Sequence, residues 1–396
     1  LLHGLAFAIF FAVLGLPLGR LADRYNRRNI IAAGITVWSL MTAVCGLAGN
    51  FVQLFLARTG VGVGEAALSP SAYSMMSDAF PPNKLTRAIA VYSTGGTLGT
   101  GLALIIGGAI IQLVADTNNL TLPLVGELRP WQSAFFIVAL PGLAVACLMF
   151  AVSEPRRRGL LRQGEVVPDS LPIADVLVFL IQRWKTYGAL FAVTSFMTAL
   201  SSGFIMWYPT FLIRLHDYSI SQAGYSFGLL FLVFGTAGVI CGGWLATSLN
   251  KRGYYDANMR VMIIGAAASG LPYVVGPLMP TAILAMSCMA VAIFSTQMIA
   301  AVCVAATQLI TPNQLRGQAA AIFLLLINLI GFGLGSTGIA FFTDFVFARD
   351  DALHYSMALS AVLVIPPSIY FYWRALPAYR DCLQESKEFT ETGHAS

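Results

Sequence analysis

Apolar stretches, each long enough to cross a lipid bilayer as a helix, recur along the whole chain with short polar breaks between them. A helix needs about 20 such residues to span the hydrocarbon core, and no open structure other than a helix satisfies its own backbone hydrogen bonds there. The pattern therefore predicts an all-α, multi-pass integral membrane protein. We predict eleven spans, at residues 1–19, 30–48, 51–76, 88–113, 131–152, 187–213, 222–248, 258–277, 280–310, 316–340 and 354–373.

The composition indicates a lipid-exposed surface. Apolar residues make up 57% of the 396 residues and charged residues only 10%, whereas soluble domains average about 45–50% and about 25%. Charged side chains normally supply much of a water-exposed surface, so a soluble fold is excluded. We attribute the net charge of +5 to the orientation of the chain in the membrane. We do not expect a nucleic-acid partner.

The sequence lacks patterns for cofactor or metal chemistry. The six cysteines lie singly, the four histidines are far apart, and neither type occurs at metal-ligand spacing. No phosphate loop or nucleotide-binding motif occurs either. We therefore expect no cofactor, no metal and no enzymatic activity, and we expect an ion gradient to drive any transport.

Basic residues concentrate on alternate loops. With the loop at residues 20–28 placed in the cytoplasm, 19 of the 23 Lys and Arg residues face inward. The outer loops hold only Arg129, Arg214 and Arg349, and Arg58 lies within a span. Because cytoplasmic loops carry the excess of Lys and Arg, we predict this topology, with a cytoplasmic C-terminus.

A long polar stretch at residues 153–170 divides the spans into two groups. We expect an N-terminal bundle at 1–153, a cytoplasmic linker at 154–183, a C-terminal bundle at 184–376 and a cytoplasmic tail at 377–396. Part of the linker is predicted to be a short helix on the membrane surface, either a gate or a passive strap. Its apolar face would consist of Ile173, Val176, Leu177, Leu180 and Ile181.

Two loop sequences recur at similar offsets in the two groups. The loop after the first span reads Gly-Arg-Leu-Ala-Asp-Arg-Tyr-Asn-Arg-Arg at 19–28, and the loop after the seventh begins Gly-Trp-Leu-Ala-Thr at 243–247. Likewise Pro-Asn-Lys-Leu at 82–85 has an echo in Pro-Asn-Gln-Leu at 312–315. This arrangement indicates parallel repeats, as in transporters whose halves are related by an axis along the membrane normal.

The loop at 19–28 resembles the signature of the major facilitator superfamily, Gly-x-Leu-Ala-Asp-Arg-x-x-Arg-Arg. Together with Trp-Ser-Leu at 38–40 and Gly-Val-Gly-Glu-Ala at 62–66, it is similar to the spinster-like lipid transporters. The resemblance implies two six-helix bundles in parallel pseudo-repeat. It also implies that the span at 1–19 is the family's second helix, so that the first helix is absent from this sequence.

Arg58 and Glu65 lie deep within the predicted span at 51–76, and Glu65 is the only acid placed within any predicted span. They lie seven positions apart, so two helical turns put them on one face, about 10 Å apart along the axis. Charged groups at this depth usually mark a substrate or proton path. The alternative is a static ion pair between Arg58 and an acid on the absent helix. In the family, the Arg58 motif is tied to coupling and substrate binding.

Few other polar groups occur within the spans, which suits an amphipathic substrate with a polar head more than a sugar. The candidate residues for the substrate and proton site, besides Arg58 and Glu65, are Ser69, Tyr73, Trp207, Tyr208, Thr296, Gln297, Gln308 and Asn328.

A second set of residues is predicted to form a cytoplasmic gating network. Asp23 would place its carboxylate at the positive end of the helix that begins near Leu315, a contact made only while the cytoplasmic side is closed. The network consists of Gly19, Asp23, Arg24, Arg28, Asp78 and Arg87.

These expectations describe a monomeric secondary transporter that moves a lysolipid, sphingoid or similar amphipath by alternating access, coupled to protons and surrounded by membrane lipids. In a bacterium it would lie in the inner membrane. One alternative is a drug or organic-anion exporter of the same fold. Alternatives of another class are an uncoupled lipid scramblase and an intramembrane lipid enzyme, although no nucleophile or metal constellation occurs within the spans.

The predicted topology can be tested by cysteine labelling in a variant without the native cysteines. Gln163→Cys should resist a membrane-impermeant maleimide in intact cells, because the linker is predicted to be cytoplasmic. The control Asn119→Cys, in a predicted outer loop, should react. Labelling at residue 163 but not at residue 119 would reverse the topology.

Overall fold

The computed structural model describes residues 25–80, 82–115, 120–122, 126–155, 173–311 and 316–392. In this part of the chain nearly all residues are helical, which confirms the predicted all-α class. The helices are α1 (Arg27–Cys45), α2 (Phe51–Ala66), α3 (Leu68–Ala79), α4 (Pro82–Ala115), α5 (Pro130–Leu148), α6 (Ile173–Gln182), α7 (Trp184–His216), α8 (Ile220–Lys251), α9 (Ala257–Val275), α10 (Ala282–Ile310), α11 (316–347) and α12 (Leu353–Thr392).

Short elements join some of these helices. A two-stranded antiparallel hairpin, β1 (Leu120–Leu122) and β2 (Gly126–Leu128), precedes α5, with Leu120 opposite Leu128. Single 3₁₀ turns follow α5 and α9 and precede α12, at Met149–Ala151, Gly276–Leu278 and Asp350–Ala352.

Nine helices of the described part are long and apolar enough to cross a membrane, and they match nine of the eleven predicted spans. The predicted span at 1–19 lies outside the described residues. The span predicted at 51–76 is divided at Ala67 into α2 and α3. The physical reason is Pro70, which has no N–H to donate to the carbonyl of residue 66 and whose ring crowds that carbonyl.

The chain divides into two compact units. Unit 1 comprises Leu1–Gly99, Ala103–Arg162 and Ser219–Ser226, and unit 2 comprises Thr100–Leu102, Gln163–Tyr218 and Phe227–Ser396. The assignment of residues 1–153 and 184–376 to two separate transport bundles stays a prediction.

In unit 1, α1 packs against α2, α3 and α5. Gly34 and Gly64 allow the backbones of α1 and α2 to touch, because a Cβ at Gly34 would lie 2.7 Å from the Gly64 carbonyl oxygen. At the other end of α1, the Gln132 Nε2 donates to the Gly46 carbonyl oxygen (2.8 Å). Helix α1 is therefore fixed to α2 by a close backbone contact and to α5 by a buried amide.

In unit 2, α9 packs against α10 and α12, and α7 packs against α11 and α12. Buried hydroxyl groups also bond between helices of this unit. Tyr187 bonds to the Thr311 hydroxyl (2.8 Å), and Thr194 bonds to the Tyr372 hydroxyl (2.9 Å). In lipid such bonds hold helices together where apolar contact alone gives little preference for protein over lipid.

Four π-helical turns interrupt the helices of unit 2, at Ala189–Val193, Phe231–Gly235, Ile327–Phe332 and Phe342–Phe347. A π turn changes the i→i−4 bonding pattern, so carbonyl groups near it can accept from other helices. The Ser202 hydroxyl of α7 donates to the Gly331 carbonyl oxygen in this way (2.8 Å). The turn at Ile327–Phe332 thereby contributes to the contact between α7 and α11.

The linker contains the predicted short helix, as α6. Val176 and Leu180 are buried, whereas Leu177 and Ile181 are exposed. One part of the predicted apolar face therefore contacts protein, and the other part is exposed. In a helix on the membrane surface, the exposed part is available to lipid. Whether α6 gates or only connects stays a prediction.

Helix α12 continues through most of the predicted tail, to Thr392. The continuation is held by protein contacts: the Tyr379 hydroxyl is buried and donates to the Ala306 carbonyl oxygen (3.3 Å). Residues 377–392 are thus part of the last helix rather than a separate segment.

The contact between α7 and α11 requires a glycine at position 335 but not at position 338. A Cβ at Gly335 would lie 2.5 Å from the Ala199 carbonyl oxygen, whereas a Cβ at Gly338 would meet nothing within 4 Å. Gly335→Ala should lower the free energy of unfolding by about 1–3 kcal/mol through overpacking, and Gly338→Ala should not. Tryptophan fluorescence during thermal unfolding in detergent measures this, and equal midpoints for the two variants would contradict it.

Candidate functional site

Helix α2 carries both ionisable residues of the predicted site. The Asn50 side chain caps its start by accepting from the Gln53 backbone N–H (2.9 Å), which satisfies a donor that a helix N-terminus leaves unpaired. The helix then runs without interruption to Ala66. Arg58 and Glu65 therefore lie on one face, two turns apart.

The Arg58 guanidinium lies over the Phe135 ring of α5, 5.7 Å from the ring centroid. Such a contact contributes about 0.5–2 kcal/mol, which is less than the several kcal/mol that a charge in hydrocarbon can cost. Among the described residues, no carboxylate lies within ion-pair distance of Arg58. Its pairing with an anionic substrate group stays a prediction.

Glu65 points away from the contact between α1 and α2. Gly64 fixes that contact, since a Cβ there would lie 2.6 Å from the Gly34 carbonyl oxygen. Glu65 follows about 100° further around the helix, and it is exposed. Within the described part of the chain it forms no hydrogen bond or ion pair. The close glycine contact thus directs the Glu65 side chain away from α1.

An open cleft of about 530 Å³ lies along α1 and α2 in unit 1. Asn26 and Asn29 line one end of it, and Val37 and Val63 are among the apolar residues that line the rest. Neither Arg58 nor Glu65 lines it, so the cleft is separate from the candidate site.

Trp207 and Tyr208, two aromatic candidates of unit 2, make contacts within that unit. The Trp207 Nε1 donates to the Ser336 carbonyl oxygen (2.9 Å), which joins α7 to α11. Tyr208 is fully buried between Phe211 and Phe227, with ring centroids 5.2 and 5.0 Å away. Tyr208 has no exposed surface in this structure, and its contact with a substrate stays a prediction.

Two further candidates bond to their own helices. The Thr296 hydroxyl donates to the Ala292 carbonyl oxygen (2.9 Å), and the Asn328 amide donates to the Leu324 carbonyl oxygen (2.8 Å). Gln297 is half-buried and has no hydrogen-bond partner among the residues that the structure describes. Of the polar candidates in unit 2 with described side chains, Gln297 therefore keeps its amide available.

Several predicted residues lie outside the described part. Gly19, Asp23 and Arg24 are not described at all. Other candidates lie on described helices, but their side chains are outside the described part: Ser69, Tyr73, Asp78, Arg87 and Gln308. Their proposed roles stay predictions.

Arg27 and Glu154 form an ion pair where α1 begins and α5 has ended. Arg27 is 1% exposed, and its Nε lies 2.9 Å from Glu154 Oε1 while an Nη donates to the Pro155 carbonyl oxygen (3.1 Å). The Arg28 backbone N–H donates to Glu154 Oε2 (2.8 Å). The Arg28 side chain bonds to Asn29 and lies over Phe150. Sequence reasoning missed Glu154, although an acid directly after a long apolar run was a usable signal.

The sequence of the chain matches the Major Facilitator Superfamily over residues 2–367. The chain belongs to this superfamily. A major facilitator is a transporter rather than an enzyme, and it is an integral, multi-pass membrane protein, as predicted.

Relatives within the superfamily carry different names. An MFS-type efflux pump of Mycolicibacterium smegmatis is 25% identical over 98% of this chain and 86% of its own length. A probable L-galactonate transporter of Escherichia coli is 23% identical over 65% of this chain and 55% of its length. Protein spinster homolog 1 of Xenopus laevis is 30% identical over 50% of this chain, but that match covers only 35% of the Xenopus protein.

A solved structure agrees with the spinster resemblance. The crystal structure of a bacterial homologue of the human lysosomal transporter spinster, in an inward-facing and occupied conformation, has a TM-score of 0.71 and 25% identity. The similarity covers 97% of this chain and 88% of that one. The major facilitator fold therefore extends over nearly the whole chain.

This major facilitator has a second ionic cluster, in unit 2. The Asp256 carboxylate, before α9, accepts from Arg260 Nε and from Arg380 Nε of α12, each at 2.7 Å. Burial raises the pKa of Asp256, but the two arginines outweigh burial and hold it below the ordinary value. The sequence indicated only inward-facing charge here, because pairing between residues 124 positions apart needs the fold.

The Arg27–Glu154 pair predicts a pH dependence. Burial raises the pKa of Glu154, but the backbone N–H of Arg28 and the Arg27 guanidinium outweigh burial and lower it. A carboxyl whose folded pKa is lowered stabilises the fold above its unfolded pKa, and this contribution is lost as the pH falls through the folded pKa.

Glu154→Gln should therefore lower the free energy of unfolding by about 1–3 kcal/mol at neutral pH and reduce the loss of stability on acidification. Thermal unfolding between pH 7 and pH 3 measures both effects. Asp351→Asn is the control, because that acid pairs with Arg349 where both side chains are exposed. A Glu154→Gln variant as stable as the control at pH 7 would contradict the assignment.

Proposed function

We propose that this major facilitator moves an amphipathic, lipid-like substrate, of lysolipid or sphingoid type, by alternating access with proton coupling. The observation that carries the proposal is the placement of Glu65, an acid within a predicted span whose side chain leaves the contact between α1 and α2 and has no bonding partner among the described residues. An ionisable group at this depth needs a partner or a function. The resemblance of residues 19–28, 38–40 and 62–66 to the spinster-like lipid transporters supports a lipid-like substrate.

The mechanism follows from what a proton does to this carboxylate. Charged Glu65 favours access to water, whereas protonated Glu65 is neutral and costs less to enclose. Protonation from one side and release on the other therefore biases the two access states. Arg58 keeps its charge in both states, so it serves as the fixed cation that an anionic substrate head can contact.

A second candidate is transport of an organic anion. Arg58 favours it, because the guanidinium is held by an aromatic ring and has no carboxylate partner in the described part of the chain. A planar guanidinium binds a carboxylate through two parallel hydrogen bonds. The L-galactonate transporter among the relatives is consistent with this candidate.

Proteoliposomes test the coupling. Glu65→Gln imitates the permanently protonated form, so it should abolish uphill uptake driven by a pH gradient but keep exchange at equal pH. Asp344→Asn, near the end of another candidate span, is the matched control and should accumulate substrate like the parent. If Glu65→Gln accumulates substrate against the gradient, Glu65 is structural.

Arg58→Gln separates the two substrate classes. It should weaken binding of lysophosphatidic acid or galactonate by about tenfold, as expected for a lost charge-assisted pair, and leave binding of a cationic sphingoid base unchanged. Tight binding of galactonate by the parent, with no binding of either lipid, would favour the organic-anion candidate.

A further inference from the structure

Asp256, Arg260 and Arg380 (the Asp256 cluster) form a preorganised group at one end of unit 2. Asp256 is 3% exposed, and each of its oxygens accepts from the Nε of a different arginine. A buried carboxylate that holds two guanidinium groups places them side by side with a net charge of +1. The cluster is therefore a fixed cationic group, unlike a pair of mobile surface side chains.

Both arginines retain unused donors. Only Nε of each is bonded, and no Nη of either arginine has an acceptor among the described residues. Arg260 is further fixed by the Tyr254 ring, 4.4 Å from its guanidinium carbon. Arginine binds phosphate through paired N–H donors. The cluster thus offers two adjacent pairs of Nη donors, one fork from each arginine. A phosphate group is the acceptor that fits them.

An exposed aromatic residue lies on the lipid side of the cluster. Trp373 precedes Arg380 by seven residues on α12, so it lies about 10 Å along the helix axis toward the predicted span. It is 63% exposed. On α8, the exposed Trp244 precedes Lys251 by the same interval. Tryptophan prefers the depth between head groups and acyl chains, so these residues set the level of the membrane interface.

We infer that the Asp256 cluster is a binding site for an anionic phospholipid. The phosphate accepts from the Nη groups of Arg260 and Arg380, and the glycerol and upper acyl chains contact Trp373. The exposed Lys251 and Arg252, just before the cluster, add attraction for a negatively charged head group. A zwitterionic head group gains less, because its own cation opposes theirs.

Native mass spectrometry with phosphatidylglycerol, phosphatidylcholine and glycerol phosphate tests the site. The parent should bind phosphatidylglycerol about tenfold more tightly than phosphatidylcholine. Arg380→Lys should remove most of this preference, since its ammonium still pairs with Asp256, and so preserves the fold, but offers no second fork. Trp373→Ala should weaken phosphatidylglycerol binding and leave glycerol phosphate binding unchanged.

Arg183→Gln is the matched control, because both Nε and Nη2 of Arg183 already bond to Glu385 and its guanidinium lies over Phe179. It should keep the parent's preference. An unchanged preference in Arg380→Lys, or an equal loss in Arg183→Gln, would overturn the site. Glycerol phosphate binding as tight as phosphatidylglycerol binding would assign the cluster to a soluble phosphate instead of a lipid.

Discussion

The structure depends on how close two helix backbones come inside lipid. Apolar side chains gain little by leaving lipid for another helix, so apolar burial does not select one arrangement of helices. Glycine does, because it allows backbone contact at positions such as Gly34 against Gly64 and Gly203 against Gly335. The direction in which Glu65 points is a consequence of the first contact, and the position of Trp207 is a consequence of the second.

Ionic contacts complete this arrangement where the helices reach the aqueous edge. In unit 1 an arginine begins α1 and an acid follows α5, and in unit 2 an acid precedes α9 and an arginine lies on α12. These are corresponding helices in the predicted repeat, with the signs of the charges exchanged. Within the predicted repeat, the two ion pairs therefore join corresponding helices.

The sequence predicted the parts of the fold that depend on a local signal. Nine spans, the face shared by Arg58 and Glu65, and the short linker helix follow from apolar runs and helical periodicity. The burial of Tyr208 does not follow from a local signal, because residue type does not show whether a polar aromatic side chain faces open space or other rings. The Asp256 cluster does not either, since its partners meet only when α9 packs against α12. Pro70 indicates the break at Ala67, but the apolar residues continue on both sides of it and so predict a single span.

The π-helical turn at Ile327–Phe332 has an evolutionary consequence. Such a turn holds one residue more than an α-helical turn, so every later residue of the helix is rotated by about 100° from its position in an uninterrupted helix. Relatives without the turn would need a one-residue gap in mid-helix to be aligned with Gly335 or Ser336. Residue-by-residue transfer of roles along α11 is therefore valid only on the same side of the turn.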